Sequence, residues 1–264
     1  MTSALARKEP CTVVMTATIT PPRNVPLLSR GDPRLRLEDY RQALRFYMAM
    51  PNHFVDGILF IDNSNADLSD LQRMVDAEAN GKRVELISFD GNDHPPEFGK
   101  GYGEFKLLDF GLARSELVRR RAECLLWKVT GRLRVLNLAA LIESTPRACS
   151  IYCDLRSVPI IGNSMGGNRW MDLRVFSCTL AGYDRFMRDA YPRLKRGECR
   201  SPEFYFFDKL VRYVRSGDVV PRFRVQPNIA GFGGHRNVDY QRGSYRAKNV
   251  VRAIGRKVAP WLWL

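Results

Sequence analysis

The hexapeptide GKGYGE at Gly99–Glu104 carries the fold reading, together with CLLWKVTGR at Cys124–Arg132 about 30 residues later. The first is a glycine-rich turn entering a helix-like run. The second is an apolar strand-like run with a basic, hydroxyl-bearing tip. A loop that frees backbone N–H groups at a helix start suits phosphate oxygens. Lys128 and Arg132, at a strand end, would meet the same phosphates with charge-assisted hydrogen bonds. The pairing points to a nucleoside-diphosphate ligand. The bland alternative is a turn whose glycines supply positive φ, since the spacing is GxGxG, neither the dinucleotide fingerprint nor a Walker loop.

Outward from these motifs, strand and helix patterns alternate. Thr12–Thr18 is β-branched and reads as a strand, Leu37–Met50 has helical periodicity, and Asp56–Ile61 is an apolar strand ending at Asp62-Asn63-Ser64. Leu68–Ala79 reads as a helix, Arg83–Phe89 as a strand, Phe105–Arg121 as a helix and Cys124–Thr130 as a fourth strand. Strands apolar on both faces and separated by helices predict an α/β fold with a mainly parallel central sheet flanked by helices. Ligands of such sheets bind outside the carboxyl ends of the strands. Asp62, Asn63, the 90–104 loop and the Lys128–Arg132 tip all belong to that edge. In the second half, 150–154, 173–177 and 219–225 read as strands, 181–189 and 203–214 as helices, and 231–235 as a turn. The organisation expected is one domain over 1–235, with a nucleotide-binding half to about 135 and an acceptor half over 136–235, followed by a basic tail over 236–264.

The chain has 264 residues, 45% of them hydrophobic and 27% charged, which suits a globular protein. No apolar run reaches the roughly 20 residues of a membrane-spanning helix. Glu9 and Pro10 interrupt the N-terminal apolar stretch, so a cleavable signal is not expected. Six cysteines without a CxxC pair and only three histidines favour neither a zinc site nor a disulfide framework. Reduced buried thiols in a cytoplasmic protein are expected. The net charge of +14 asks for an anionic partner. From Arg236 to the end there are seven Lys/Arg and one acid, Asp239, before a Pro-Trp-Leu-Trp-Leu close. This suits an anionic membrane interface, at the inner face of the cytoplasmic membrane, better than nucleic acid. No nucleic-acid-binding signature is present. A solvated basic tail is the plain alternative.

The order of elements resembles the GT-A fold, related to the Rossmann fold, of nucleotide-sugar glycosyltransferases. Gly99-Lys100-Gly101 looks like the GKG-type loop that many of them carry before a helix, and Cys124–Arg132 looks like the strand that follows. In those enzymes that strand ends in an Asp-x-Asp holding a divalent metal; here it ends in Lys-Val-Thr-Gly-Arg. The resemblance therefore implies a nucleotide-sugar donor (UDP-, GDP- or CMP-linked) whose leaving diphosphate is countered by Lys100, Lys128, Thr130 and Arg132, with Gly101 in the cradle. A divalent metal is not favoured. Taken with TxTxxP beginning at Thr16 and the DNS strand end, the pattern is similar to bacterial surface-polysaccharide glycosyltransferases of O-antigen and capsule synthesis. That similarity implies a lipid-linked or oligosaccharide acceptor and places Thr16, Asp62 and Asn63 at the nucleoside. A turn or helix cap is the plain role of Asp62.

Asp154 ends a later strand, where it would meet the acceptor sugar or pair with Arg156 or Arg174. An inverting transfer needs a carboxylate to take the acceptor proton. By the family's layout it lies on a late helix, and Glu203 and Asp208 are the candidates. Asp208 is preferred for its spacing to the next strand, because Glu203 in the first turn after Ser201-Pro202 suits a cap. His235 and Arg236, on a glycine turn, would close over the diphosphate. Two other classes compete. One is a Rossmann-type oxidoreductase or methyltransferase, weakened by the absence of a glycine loop after the first strand. The other is a non-enzymatic basic module for nucleic acid or phospholipid, weakened because the aromatic residues sit in apolar runs.

Overall fold

A computed structural model describes residues 9–22, 28–158, 168–233, 239–259 and 263. The elements are β1 (Cys11–Ala17), α1 (Pro33–Met48), β2 (Val55–Asp62), α2 (Ser69–Glu78), β3 (Arg83–Ser88), α3 (Lys100–Arg114), α4 (Glu116–Arg119), β4 (Leu126–Thr130), β5 (Arg134–Val135), α5 (Leu138–Ser144), β6 (Ile151–Tyr152), β7 (Leu155–Arg156), β8 (Trp170–Met171), β9 (Val175–Cys178), α6 (Leu180–Phe186), α7 (Pro202–Leu210), β10 (Val219–Val220), β11 (Ile229–Ala230) and α8 (Gly243–Val258).

One seven-stranded sheet runs in the order β10-β6-β9-β4-β1-β2-β3. β3, β2, β1 and β4 are mutually parallel, β10 is parallel to β6, and β9 runs antiparallel between β4 and β6. The mainly parallel α/β sheet read from the sequence is therefore present. Every residue of β1 is buried, because the strand feeds two cores. Val13 and Met15 pack with Tyr40 and Tyr47 of α1, while Val14 packs with Phe105 and Leu108 of α3. That two-sided burial is why the first strands read as apolar throughout.

Local signals set the helix starts. Asp32 accepts from the Arg34 amide at 2.8 Å ahead of Pro33, so α1 begins four residues before Leu37. The glycine motif is not a free loop. Gly99, at φ 85°, turns the chain, and Lys100–Glu104 already form the first turns of α3. The helix expected over 105–121 is consequently shifted, and it breaks at Ser115, whose hydroxyl caps α4 through the Val118 amide. The basic C-terminal stretch is also structured. As α8, it is fastened by Arg256, which donates to Asp154 at 2.6 Å, to the Phe223 carbonyl at 2.6 Å and to Gln226 at 2.8 Å.

Candidate functional site

β1 has β2 on one side and β4 on the other, and the chain crosses from β3 back to β4 past it. The carboxyl ends of β1 and β4 therefore flank the sheet's switch point, the place where such sheets open a crevice. A cavity of about 210 Å³ lies there, lined by Thr16, Thr18, Arg36, Asn63, Lys100 and Arg132 among others. Beside it, a cleft of about 670 Å³ shares Gly99, Lys100, Glu104 and Thr130. The start of α3 is thus the ridge between two adjoining spaces.

Three cations converge on the first cavity. Lys100 is drawn down to about pKa 8 by burial and by the positive charges of Arg132 and Arg36. Arg132 is steadied by donating to the Phe232 carbonyl at 3.1 Å. Arg36, buried, is held from behind by the Thr18 carbonyl at 2.6 Å, the Arg30 carbonyl at 3.0 Å and the Tyr40 hydroxyl at 3.0 Å. Like charges brought this close repel one another, and a bound anion relieves that repulsion. Arg36 escapes a sequence reading, because Arg30, Arg34, Arg36, Arg41 and Arg45 are equivalent there and only packing turns one inward. Among the apolar and aromatic walls are Pro21, Pro22, Leu28 and His94.

The structure separates the expected site residues. Thr16, Asn63, Lys100, Thr130 and Arg132 line the first cavity. Lys128 does not. Its ammonium is 2% exposed and donates to Glu104 at 2.5 Å and to the Leu173 carbonyl at 2.6 Å, beneath the floor. It positions Glu104, which also accepts from the Thr16 hydroxyl at 3.1 Å. Asp62 is spent within its own turn. It accepts from the Ile19 amide at 2.7 Å, the Ser64 amide at 2.8 Å and the Ser64 hydroxyl, and it is fully buried. These bonds are those of the plain turn role. Gly101 lines the second cleft, but its missing side chain serves packing as well, since a Cβ there would stand 2.0 Å from Pro202 Cγ. Asp154 is buried against Arg256 at 2.6 Å and Arg156 at 3.5 Å, away from both spaces. The expected pairing with Arg156 holds, and Arg256 was not foreseen. His235 and Arg236 lie outside the described residues.

Of the two late-helix carboxylates, Asp208 is engaged with exposed Arg169 at 2.6 Å and lines neither space, contrary to the preference for it. Glu203 lines the second cleft in the first turn of α7, where the Ser201 hydroxyl already caps the Phe204 amide at 3.3 Å. The Glu203 carboxylate also bonds its own backbone amide and Ser201, so it shares in the cap while lining the cleft. Burial raises its pKa, against its own backbone amide and Ser201 and with help from Glu104 and Asp172. A carboxylate tuned upward in a cleft is suited to proton transfer. The nearby Asp172 is the opposite case. Burial alone would raise it, but Arg174 at 2.5 Å and Arg156 at 2.6 Å hold it firmly ionised.

The β4 rim offers a hydroxyl, a backbone turn and a guanidinium, a donor set that does not suit a divalent cation. Among the described residues there is no group of three or more His, Cys, Asp or Glu arranged to hold a metal. All six cysteines are free thiols.

No family model matches the chain, and no curated protein matches it. Solved structures similar to it include the glycosyltransferase GlyE of Streptococcus pneumoniae TIGR4, at 11% identity and a TM-score of 0.47, over 81% of this chain and 45% of that one. The chain thus spans less than half the length of that relative. The galactosyltransferase LgtC, solved with donor and acceptor sugar analogues, aligns at 9% identity and a TM-score of 0.46, over 75% and 70% of the two chains. The inositol-1-phosphate CTP transferase of T. maritima aligns at 13% identity and a TM-score of 0.45, over 96% and 99%.

Proposed function

We propose that this protein is a GT-A-like glycosyltransferase that binds a nucleotide-sugar in the smaller cavity and a sugar-bearing acceptor in the larger cleft. The observation that carries the reading is the convergence of Lys100, Arg132 and Arg36 on one cavity at the carboxyl edge of β1 and β4. Departure of a nucleoside diphosphate develops negative charge at the leaving oxygen, and preorganised cations with the amides at the start of α3 stabilise it. Glu203 takes the proton of the attacking acceptor hydroxyl, which makes an inverting displacement the natural course. Lys128 and Glu104 set the floor.

The order of motifs supports a role in surface-polysaccharide synthesis with a lipid-linked or polysaccharide acceptor. No helix among the described residues is long and apolar enough to cross a membrane. The outer face of α8 exposes Val250, Val251, Ile254 and Val258, an apolar stripe with the basic character of an interfacial helix. Peripheral attachment to an anionic membrane fits that stripe.

Thermal-shift screening against UDP-, GDP- and CMP-linked sugars and NAD(P) tests the reading, because a ligand of the folded state raises the melting temperature. One sugar-nucleotide class should stabilise the protein, and turnover should release the nucleoside diphosphate. Pyrophosphate release from a nucleoside triphosphate, or a shift with NAD(P) alone, would replace the proposal.

A further inference from the structure

The larger cleft is lined by seven lysines and arginines against three carboxylates, two of which are already ion-paired. Asp172 is held between Arg156 and Arg174 and Glu104 is paired with Lys128 from below, which leaves Glu203 as the one cleft carboxylate without an ion pair among the described residues. On the other side of the account, Arg196 and Arg200 come from the segment before α7, and Lys248 and Arg252 from α8. Arg200 lies 3.9 Å over the Phe204 ring, a contact that orients the guanidinium without neutralising it. Arg196, Arg200 and Lys248 form no ion pair among the described residues. The segments outside the described residues, 1–8, 23–27, 159–167, 234–238, 260–262 and 264, contain no Asp or Glu side chain that could supply one.

A neutral saccharide gives such a cluster nothing to neutralise. Guanidinium and ammonium groups drawn from separate chain segments around one cleft match the several oxygens and the charge of a phosphate ester. We infer that the second substrate carries a phosphate or diphosphate ester, held by Arg196, Arg200, Lys248 and Arg252 beside Glu203. α8 is then a wall of the substrate site, with Lys248 and Arg252 lining the cleft and its valine and isoleucine stripe exposed. The identification of this substrate as the acceptor rests on the function proposed above; the anion site itself does not.

Isothermal titration on the full chain tests it, with the donor cavity saturated by the nucleoside diphosphate that binds best. Geranyl diphosphate, inorganic pyrophosphate and geraniol are the probes. Geranyl diphosphate should bind, and the Arg196→Gln/Lys248→Gln double variant should weaken it at least tenfold while changing nucleoside diphosphate affinity less than twofold. Arg36→Gln, at a residue that lines only the smaller cavity, should do the reverse. Equal affinity for pyrophosphate upholds the site and assigns it to the phosphate chemistry of soluble esters; tighter binding of the prenyl ester upholds it and assigns it to a lipid. Unchanged geranyl diphosphate binding in the double variant, or equal binding of geraniol, overturns the inference. Both substituted side chains reach solvent, and circular dichroism checks that the fold is kept. Should no nucleoside diphosphate bind, the glycosyltransferase reading fails, and the same titrations without it still decide the anion site.

Discussion

Lys128 Nζ stands 2.5 Å from Glu104 Oε1, and this contact ties the end of β4 to the first turn of α3. It fixes the ridge that separates the two spaces, and it turns a lysine that reads as a phosphate ligand into a support.

Lys128→Met should therefore act on stability before it acts on nucleotide affinity. Removing one partner of a buried pair costs about 3–5 kcal/mol, and the lower end applies because Glu104 is a quarter exposed. Urea unfolding should show a midpoint well below wild type, and the double variant Lys128→Met/Glu104→Gln should recover part of it. Unchanged stability, with nucleotide binding lost, would return Lys128 to the phosphates.

The depressed pKa of Lys100, about 8 against an ordinary 10.5, gives nucleotide binding a pH dependence. Lys100 is mostly protonated at pH 7 and loses its charge as pH rises through 8. Affinity for a nucleoside diphosphate should fall across pH 7.5–9, and Lys100→Arg, which stays charged, should flatten that fall. A flat wild-type profile would remove Lys100 from the phosphate contacts.

Glu203→Gln should lower kcat by about 10²–10⁴, the usual worth of a general base, with donor affinity within about twofold. Asp208→Asn should leave kcat within about threefold, since Asp208 faces Arg169 on the surface. The opposite ranking of the two variants would restore Asp208 as the base.

Arg256→Met should loosen α8 by leaving Asp154 buried without its nearest cation, at a cost of about 3–5 kcal/mol. Limited proteolysis should then cut within 243–258 faster than in wild type. Asp154→Asn/Arg256→Met should be less damaging than Arg256→Met alone, because no uncompensated charge remains.

Val251→Asp/Ile254→Asp, on the exposed stripe, should reduce binding to vesicles containing anionic lipid at least tenfold, without changing transfer to a soluble acceptor. Equal vesicle binding would show that α8 does not meet the membrane.

The sequence alone determined the elements of the first half and their parallel arrangement. Strands such as β1 and β2 are buried on both faces, so their apolar runs announce the sheet. Ser201-Pro202 marks the start of α7 by local chemistry, whereas periodicity begins α1 at Leu37 and α3 at Phe105, after their actual starts at Pro33 and Lys100. Tertiary structure decided which charged groups reach the cavity. Lys128 shares a strand face with Leu126, and only the placement of α3 on that face directs its ammonium to Glu104. Arg36 is one arginine among several on α1 until Tyr40 and the Thr18 carbonyl draw it inward. Asp154 and Arg256 are 102 positions apart, and their contact turns a basic stretch into a docked helix. A pattern along the chain reports burial and local backbone preference, whereas the direction of a long charged side chain depends on which element comes to lie across from it.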